Sequence, residues 1–166
     1  MRRLLVGLVV GALLLATAPA VLAKSGPPTP ASGVWSWVNT DWTDGRTVGT
    51  CPACIMFATG SEASTWTGTF TGTSTDTFKV AISGSGAMWA TLSISFVGSV
   101  NGVDGTLRMF ATAWAPPDAN MTGTWFILGG TGGLSGANGH GSWTYTGSVG
   151  DLNSADYAGR VHVPNH

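Results

Sequence analysis

Cys51-Pro-Ala-Cys54 is the sharpest chemical motif in this 166-residue chain. A Cys-x-x-Cys pair does redox work when a helix N-terminus lowers a thiol pKa. Here "IMFATG" follows, with no helical period and no thioredoxin-like context. Two cysteines three apart across a proline-initiated turn can instead close a local disulfide, and two thiolates alone leave zinc short of ligands. The expectation is therefore a structural Cys51–Cys54 disulfide, with no metal site and no cofactor. The histidines, His140, His162 and His166, lack metal-ligand spacing. Arg108 lies mid-strand on the side of Phe110 and Trp114, opposite Leu107 and Met109. Its charge cannot be buried unpaired. Either that face is solvent, or Arg108 points into a cavity as a ligand anchor beside Glu62, Asp76 or Asp104. No Ser-His-Asp order is evident.

The segment "GGTGGLSGANGHGSW", residues 129–143, holds seven glycines in fifteen residues after the apolar "WFIL". A dinucleotide fingerprint from Gly130 would need glycine where Ser135 stands. A phosphate loop would need a lysine, and the segment has none. "HGSWTYTG" then alternates with period two, as a strand does. Without a helix N-terminus there are no aligned amides for a phosphate. The glycines are read as bends and bulges where a sheet curls.

The elements around these residues are strands. "MWATLSISFVGSV" sets Met88, Ala90, Leu92, Ile94 and Phe96 on one face. "GTLRMFATAWA", "STWTGTFTG" and "TDTFKVAI" alternate similarly, and "MTGTWFILG", "GSWTYTG" and "DYAGRVHV" follow. "GVWSWVN" and a less regular stretch from Arg46 to Phe57 come first. Eight or nine strands at short spacing, with no helix, mean a sandwich or a barrel. The eight tryptophans suit a core built without helices or an aromatic-lined pocket. Trp35 and Trp37, two apart, must point the same way.

Residues 1–23, "MRRLLVGLVVGALLLATAPAVLA", read as a secretory signal peptide with cleavage after Ala23. Residues 24–32 read as a Pro/Gly/Ser linker, and residues 33–166 as one domain. The expected location is secreted, with no membrane segment after cleavage. Without Arg2 and Arg3, five of the seven Lys and Arg remain against eight Asp and Glu. This acidic balance excludes an ordinary nucleic-acid binder. Asn120-Met121-Thr122 fits a glycosylation sequon, relevant only in a host that glycosylates secreted chains.

The glycine segment also resembles the Gly-Thr-Gly-x-Leu…Gly-x-Gly stretch of a bacterial family of unknown function, grouped with the allene oxide cyclase and dirigent barrels. "ASGVWSW", "GTFTGT", "FVGSVNGVDGTL" and "DYAGRVHV" agree in order. The resemblance implies a single antiparallel β-barrel of about eight strands with an interior cavity. It also implies that copies can associate as trimers. It carries over no catalytic residue.

The combined reading is a binding barrel for a small hydrophobic or aromatic molecule. Trp66, Phe70, Leu92, Ile94, Phe96 and Arg108 are the candidate ligand-contact residues. The competing readings are a filled, structural or protein-interaction barrel, and a dirigent-like isomerase or cyclase. The last requires a titratable group inside the cavity, with Arg108 or Glu62 the first suspects.

Overall fold

Period-two alternation runs through nearly every segment of the chain, and the computed structural model turns it into strands throughout. The structure describes residues 27–164. The expected signal peptide and its cleavage point lie outside the described residues. The strands are β1 (Thr29–Val48), β2 (Ile55–Gly68), β3 (Phe70–Ser83), β4 (Met88–Val100), β5 (Val103–Ala115), β6 (Thr122–Gly132), β7 (Asn138–Val149) and β8 (Leu152–His162). Each pairs antiparallel with the next, and β8 returns to β1 from Thr29↔Val161 to Trp37↔Asn153. The sheet is a closed barrel. Closure leaves no unpaired edge along the ring.

Three expected boundaries move. β1 already begins at Thr29, so Thr29–Ser32, expected as linker, is paired with β8. "STWTGTFTG" is not one strand. β2 ends at Gly68 and β3 starts at Phe70, so this stretch is a hairpin corner. Alternation continues through a tight turn, which hides the corner from a periodicity argument. The irregular stretch around Arg46 to Phe57 is the β1–β2 hairpin end. Its turn carries the Cys51–Cys54 disulfide, and the Gly84 N–H of the β3–β4 turn donates to the Cys54 carbonyl at 2.8 Å.

One face of every strand fills the barrel. At the end formed by the β2–β3, β4–β5 and β6–β7 turns, Phe70, Val100, Leu107, Leu134 and Val161 are fully buried. Leu134 comes from the glycine segment, which is not a single loop. Gly129 to Gly132 finish β6, Gly133 to Ala137 turn, and β7 begins at Asn138. The turn folds Leu134 inward to plug this end, close over Gly105 and Gly130. Two further glycines make room for a ring. A Cβ at Gly141 or Gly159 would lie 2.6 Å from the Trp125 indole, so neither position accepts a side chain while Trp125 is buried there. Tyr157 staples the same end: the Phe70 N–H donates to its hydroxyl at 2.9 Å, and that hydroxyl donates to the Thr67 carbonyl at 3.1 Å.

Candidate functional site

The interior is not filled to the other end. An eight-stranded barrel is just wide enough to be packed solid or to hold one small ligand. This one does both, in different halves. Large rings stack through the plugged half. Trp66 lies parallel on Trp35 at 5.0 Å and edge-on to Phe70 and Phe96. Towards the open mouth, alternation brings inward the small side chains Ala90 and Ala113, and a cavity of about 290 Å³ remains. One wall is aromatic: Trp35, Trp37, Trp143 and Tyr145. The opposite wall is Val80, Met88, Ala90, Leu92, Ala113 and Met121. Trp42, Asn39 and Asn153 also line it. Two larger depressions, ≈ 450 and ≈ 580 Å³, are lined chiefly by outward-facing Ser and Thr. None of the unpartnered buried polar atoms described below borders them.

The chemistry of the cavity resides in β2 and β3. Inward positions on β2 run Ala58, Gly60, Glu62, Ser64 and Trp66, and on β3 Phe70, Ser74, Asp76, Phe78 and Val80. The register pairs Glu62 with Asp76 and Ser64 with Ser74. Two carboxyl groups therefore face each other inside the barrel, Glu62 at 5% and Asp76 at 1% exposure. Glu62 lies on the cavity wall. The Ser64 hydroxyl donates to Asp76 Oδ2 at 2.6 Å, and the Trp66 indole N–H donates to the Ser74 hydroxyl at 2.9 Å. Glu62 Oε1, Asp76 Oδ1 and the Trp35 indole nitrogen are buried with no hydrogen-bond partner. The Trp125 indole nitrogen, in the packed half, is unpartnered as well. Buried polar atoms ordinarily have partners, and since Glu62 and Trp35 line the cavity, a bound molecule can supply theirs.

Burial sets the proton positions. Loss of hydration, and then the charge of Asp76, raise the Glu62 pKa to about 8. Loss of hydration raises Asp76 to about 6, against the opposing hydrogen bonds of the Ser64 and Ser74 hydroxyls. Both carboxyls thus hold protons to higher pH than exposed ones do, Glu62 the more strongly. Neighbouring carboxyls whose environments separate their pKa values form an acid and a base. Among the described residues, no Lys, Arg or His lines the cavity. Among the described residues, no group of three or more His, Cys, Asp or Glu is placed to hold a metal ion.

Of the six candidate contact residues, Leu92 lines this cavity. Trp66, Phe70, Ile94 and Phe96 face inward as expected, but they belong to the packed half. Arg108 is corrected outright. Leu107 and Met109 on either side are buried and Arg108 is exposed on the outer surface, beside the bulge opposite Gly129. It cannot anchor a ligand inside. Arg108→Ala is expected to leave the affinity for any cavity ligand within about twofold of wild type, as exposed substitutions generally do, when measured by calorimetric titration.

The fold is shared with solved structures at low sequence identity. A protein of unknown function of the DUF3224 family from Shewanella oneidensis MR-1 superposes with a TM-score of 0.63 at 15% identity, covering 84% of this chain and 100% of that one. A pterocarpan synthase dirigent protein superposes with a TM-score of 0.54 at 15% identity, covering 90% and 99%. No protein-family model and no curated protein sequence matches the chain. The chain thus has a dirigent-like barrel fold.

Proposed function

We propose that the barrel binds one small aromatic or apolar molecule in its open half, with Glu62, backed by Asp76, as its polar anchor. The observation that carries this reading is Glu62 Oε1, buried and unpartnered on the wall of a mostly apolar, ring-lined cavity. Mostly apolar pockets with a few convergent polar groups are how small-molecule sites are built. The cavity volume of about 290 Å³ suits one or two rings rather than a lipid. We propose further that the protein acts outside the cytoplasm. The Cys51–Cys54 disulfide supports that reading, because disulfides persist in oxidising compartments.

Native mass spectrometry of the protein isolated from its producing cells tests the binding reading. The expected result is a small-molecule mass carried by the folded protein, lost on denaturation and absent from a variant filled by Ala113→Trp that remains folded by circular dichroism. Retention of the same mass by the folded Ala113→Trp variant would move the ligand out of this cavity.

A second reading has its own observation. The differing proton affinities of Glu62 and Asp76 fit general acid–base work on a bound molecule, and one structural neighbour is a pterocarpan synthase. Shared fold alone does not establish a reaction. Under this reading Glu62→Gln keeps ligand affinity and abolishes turnover of the molecule identified by mass. Unchanged turnover in that variant would discard it.

A further inference from the structure

The carboxyl pair has no cationic counterpart in the cavity, and that points to the chemical class of the occupant. We infer that the occupant of the open half is an organic cation, a small alkyl- or arylammonium held by Glu62, with Asp76 behind it, and by the surrounding indole faces. This rests on the cavity being a ligand site.

Three observations converge on it. First, two buried carboxyls face each other across β2 and β3, each with an oxygen that no protein group satisfies. The Ser64 hydroxyl is engaged with Asp76 and the Trp66 indole with Ser74, and the unpartnered Trp35 indole N–H reaches neither carboxyl. A neutral hydroxyl ligand would supply one hydrogen bond and leave the second carboxyl unmatched. A cation offsets the charge that Glu62 takes on when it ionises. Second, the wall beside Glu62 is a corner of rings. Trp37 and Trp143 stand at 78° with centroids 6.4 Å apart, and Tyr145 tilts against Trp37 at 6.0 Å. Ring faces carry negative potential, and such corners recognise substituted ammonium groups. Third, the remaining lining cannot serve an inorganic cation. Beyond Glu62 the lining side chains offer oxygens only from Asn39, Asn153 and Tyr145, the last two bonded to each other, whereas hard cations take six or more. An alkylated ammonium needs no such shell.

The elements packed around Glu62 present few titratable groups. β3 supplies Asp76, β7 supplies Tyr145 at the rim, and β1 supplies only the neutral Trp37, Asn39 and Trp42. An incoming cation stabilises the ionised carboxylate. The Glu62 O–H bond therefore breaks on binding, and its proton leaves to the buffer, up to one proton per ligand bound.

The test uses the folded full-length domain and two probes of nearly equal shape, phenyltrimethylammonium and tert-butylbenzene. The first keeps its charge at every pH. Tryptophan fluorescence gives both affinities, and calorimetry in two buffers of different ionisation enthalpy gives the protons released. The inference expects the cation to bind about tenfold tighter or more. It also expects cation affinity to rise from about pH 6 to pH 9 and proton release to be visible near pH 7. In Glu62→Gln the tenfold preference should shrink and proton release should vanish. Equal or tighter binding of tert-butylbenzene overturns the cation and leaves the cavity reading standing. Binding of neither probe counts against both. The relative affinities, their pH dependence and the proton release are readable on the wild-type protein even if Glu62→Gln misfolds.

Discussion

Glu62→Gln should make the protein more stable, not less, and most strongly at alkaline pH. Glu62 and Asp76 hold protons more tightly in the fold than their ordinary values of 4.5 and 3.8, at about 8 and about 6. Between roughly pH 4 and pH 8 the folded state therefore binds more protons than the unfolded chain. Stability must fall across that window as pH rises, and level off once both groups are ionised in the fold. The Glu62 shift alone corresponds to roughly 5 kcal/mol at 1.36 kcal/mol per unit. Because relaxation and water entry soften buried charges, a loss of about 2–4 kcal/mol between pH 5 and pH 9 is the working expectation. Glutamine keeps the shape and cannot ionise. The variant should match wild type near pH 5 and exceed it by most of that difference at pH 9. Urea denaturation at the two pH values measures it. A wild-type protein as stable at pH 9 as at pH 5 would mean that Glu62 is already paired or hydrated in the fold.

The second large effect belongs to Trp66. Its indole is 1% exposed, stacks on Trp35, and donates to Ser74, directly beneath the carboxyl pair. Trp66→Ala removes that stack and leaves a void in the packed half, at a cost of about 3–5 kcal/mol. Trp66→Phe keeps part of the ring and should cost clearly less. Trp89→Ala is the control. Trp89 is paired with Trp114 at 4.5 Å, but on the outer face at 47% exposure, so its loss should stay within about 1 kcal/mol. Comparable costs for Trp66 and Trp89 in chemical denaturation would contradict the assignment of inner and outer faces.

The contrast between those two tryptophans shows what a period-two reading can reach. Alternation separated Leu107 and Met109 from Arg108, and Leu92, Ile94 and Phe96 from Trp89, and the barrel buries the apolar set each time. The same parity was available for the carboxyls. Glu62 shares its face with Trp66, and Asp76 shares its face with Phe78 and Val80. What conceals them is composition. In "SEAST" no apolar neighbour marks the face, so Glu62 reads as a solvated residue unless it is counted from Trp66. Pairing across strands was out of reach. Nothing local tells that Glu62 lies opposite Asp76, since that depends on where the β2–β3 corner falls, inside a stretch that alternates without interruption. The position of the cavity along the barrel was equally hidden. It follows from which end Leu134 plugs, and Leu134 lies in a glycine-rich turn whose one other apolar residue is the small Ala137.

The most direct test of a ligand site in the open half is NMR of the eight tryptophan indole N–H signals during titration with a panel of one- and two-ring aromatic compounds, phenyltrimethylammonium included. The account predicts shifts at Trp35, Trp37, Trp42 and Trp143, which line the cavity. Trp125, sealed in the packed half, and Trp89 and Trp114, on the outer wall, should remain still. Shifts confined to Trp89 and Trp114, or no shift at Trp37 and Trp143 with any compound, would contradict it.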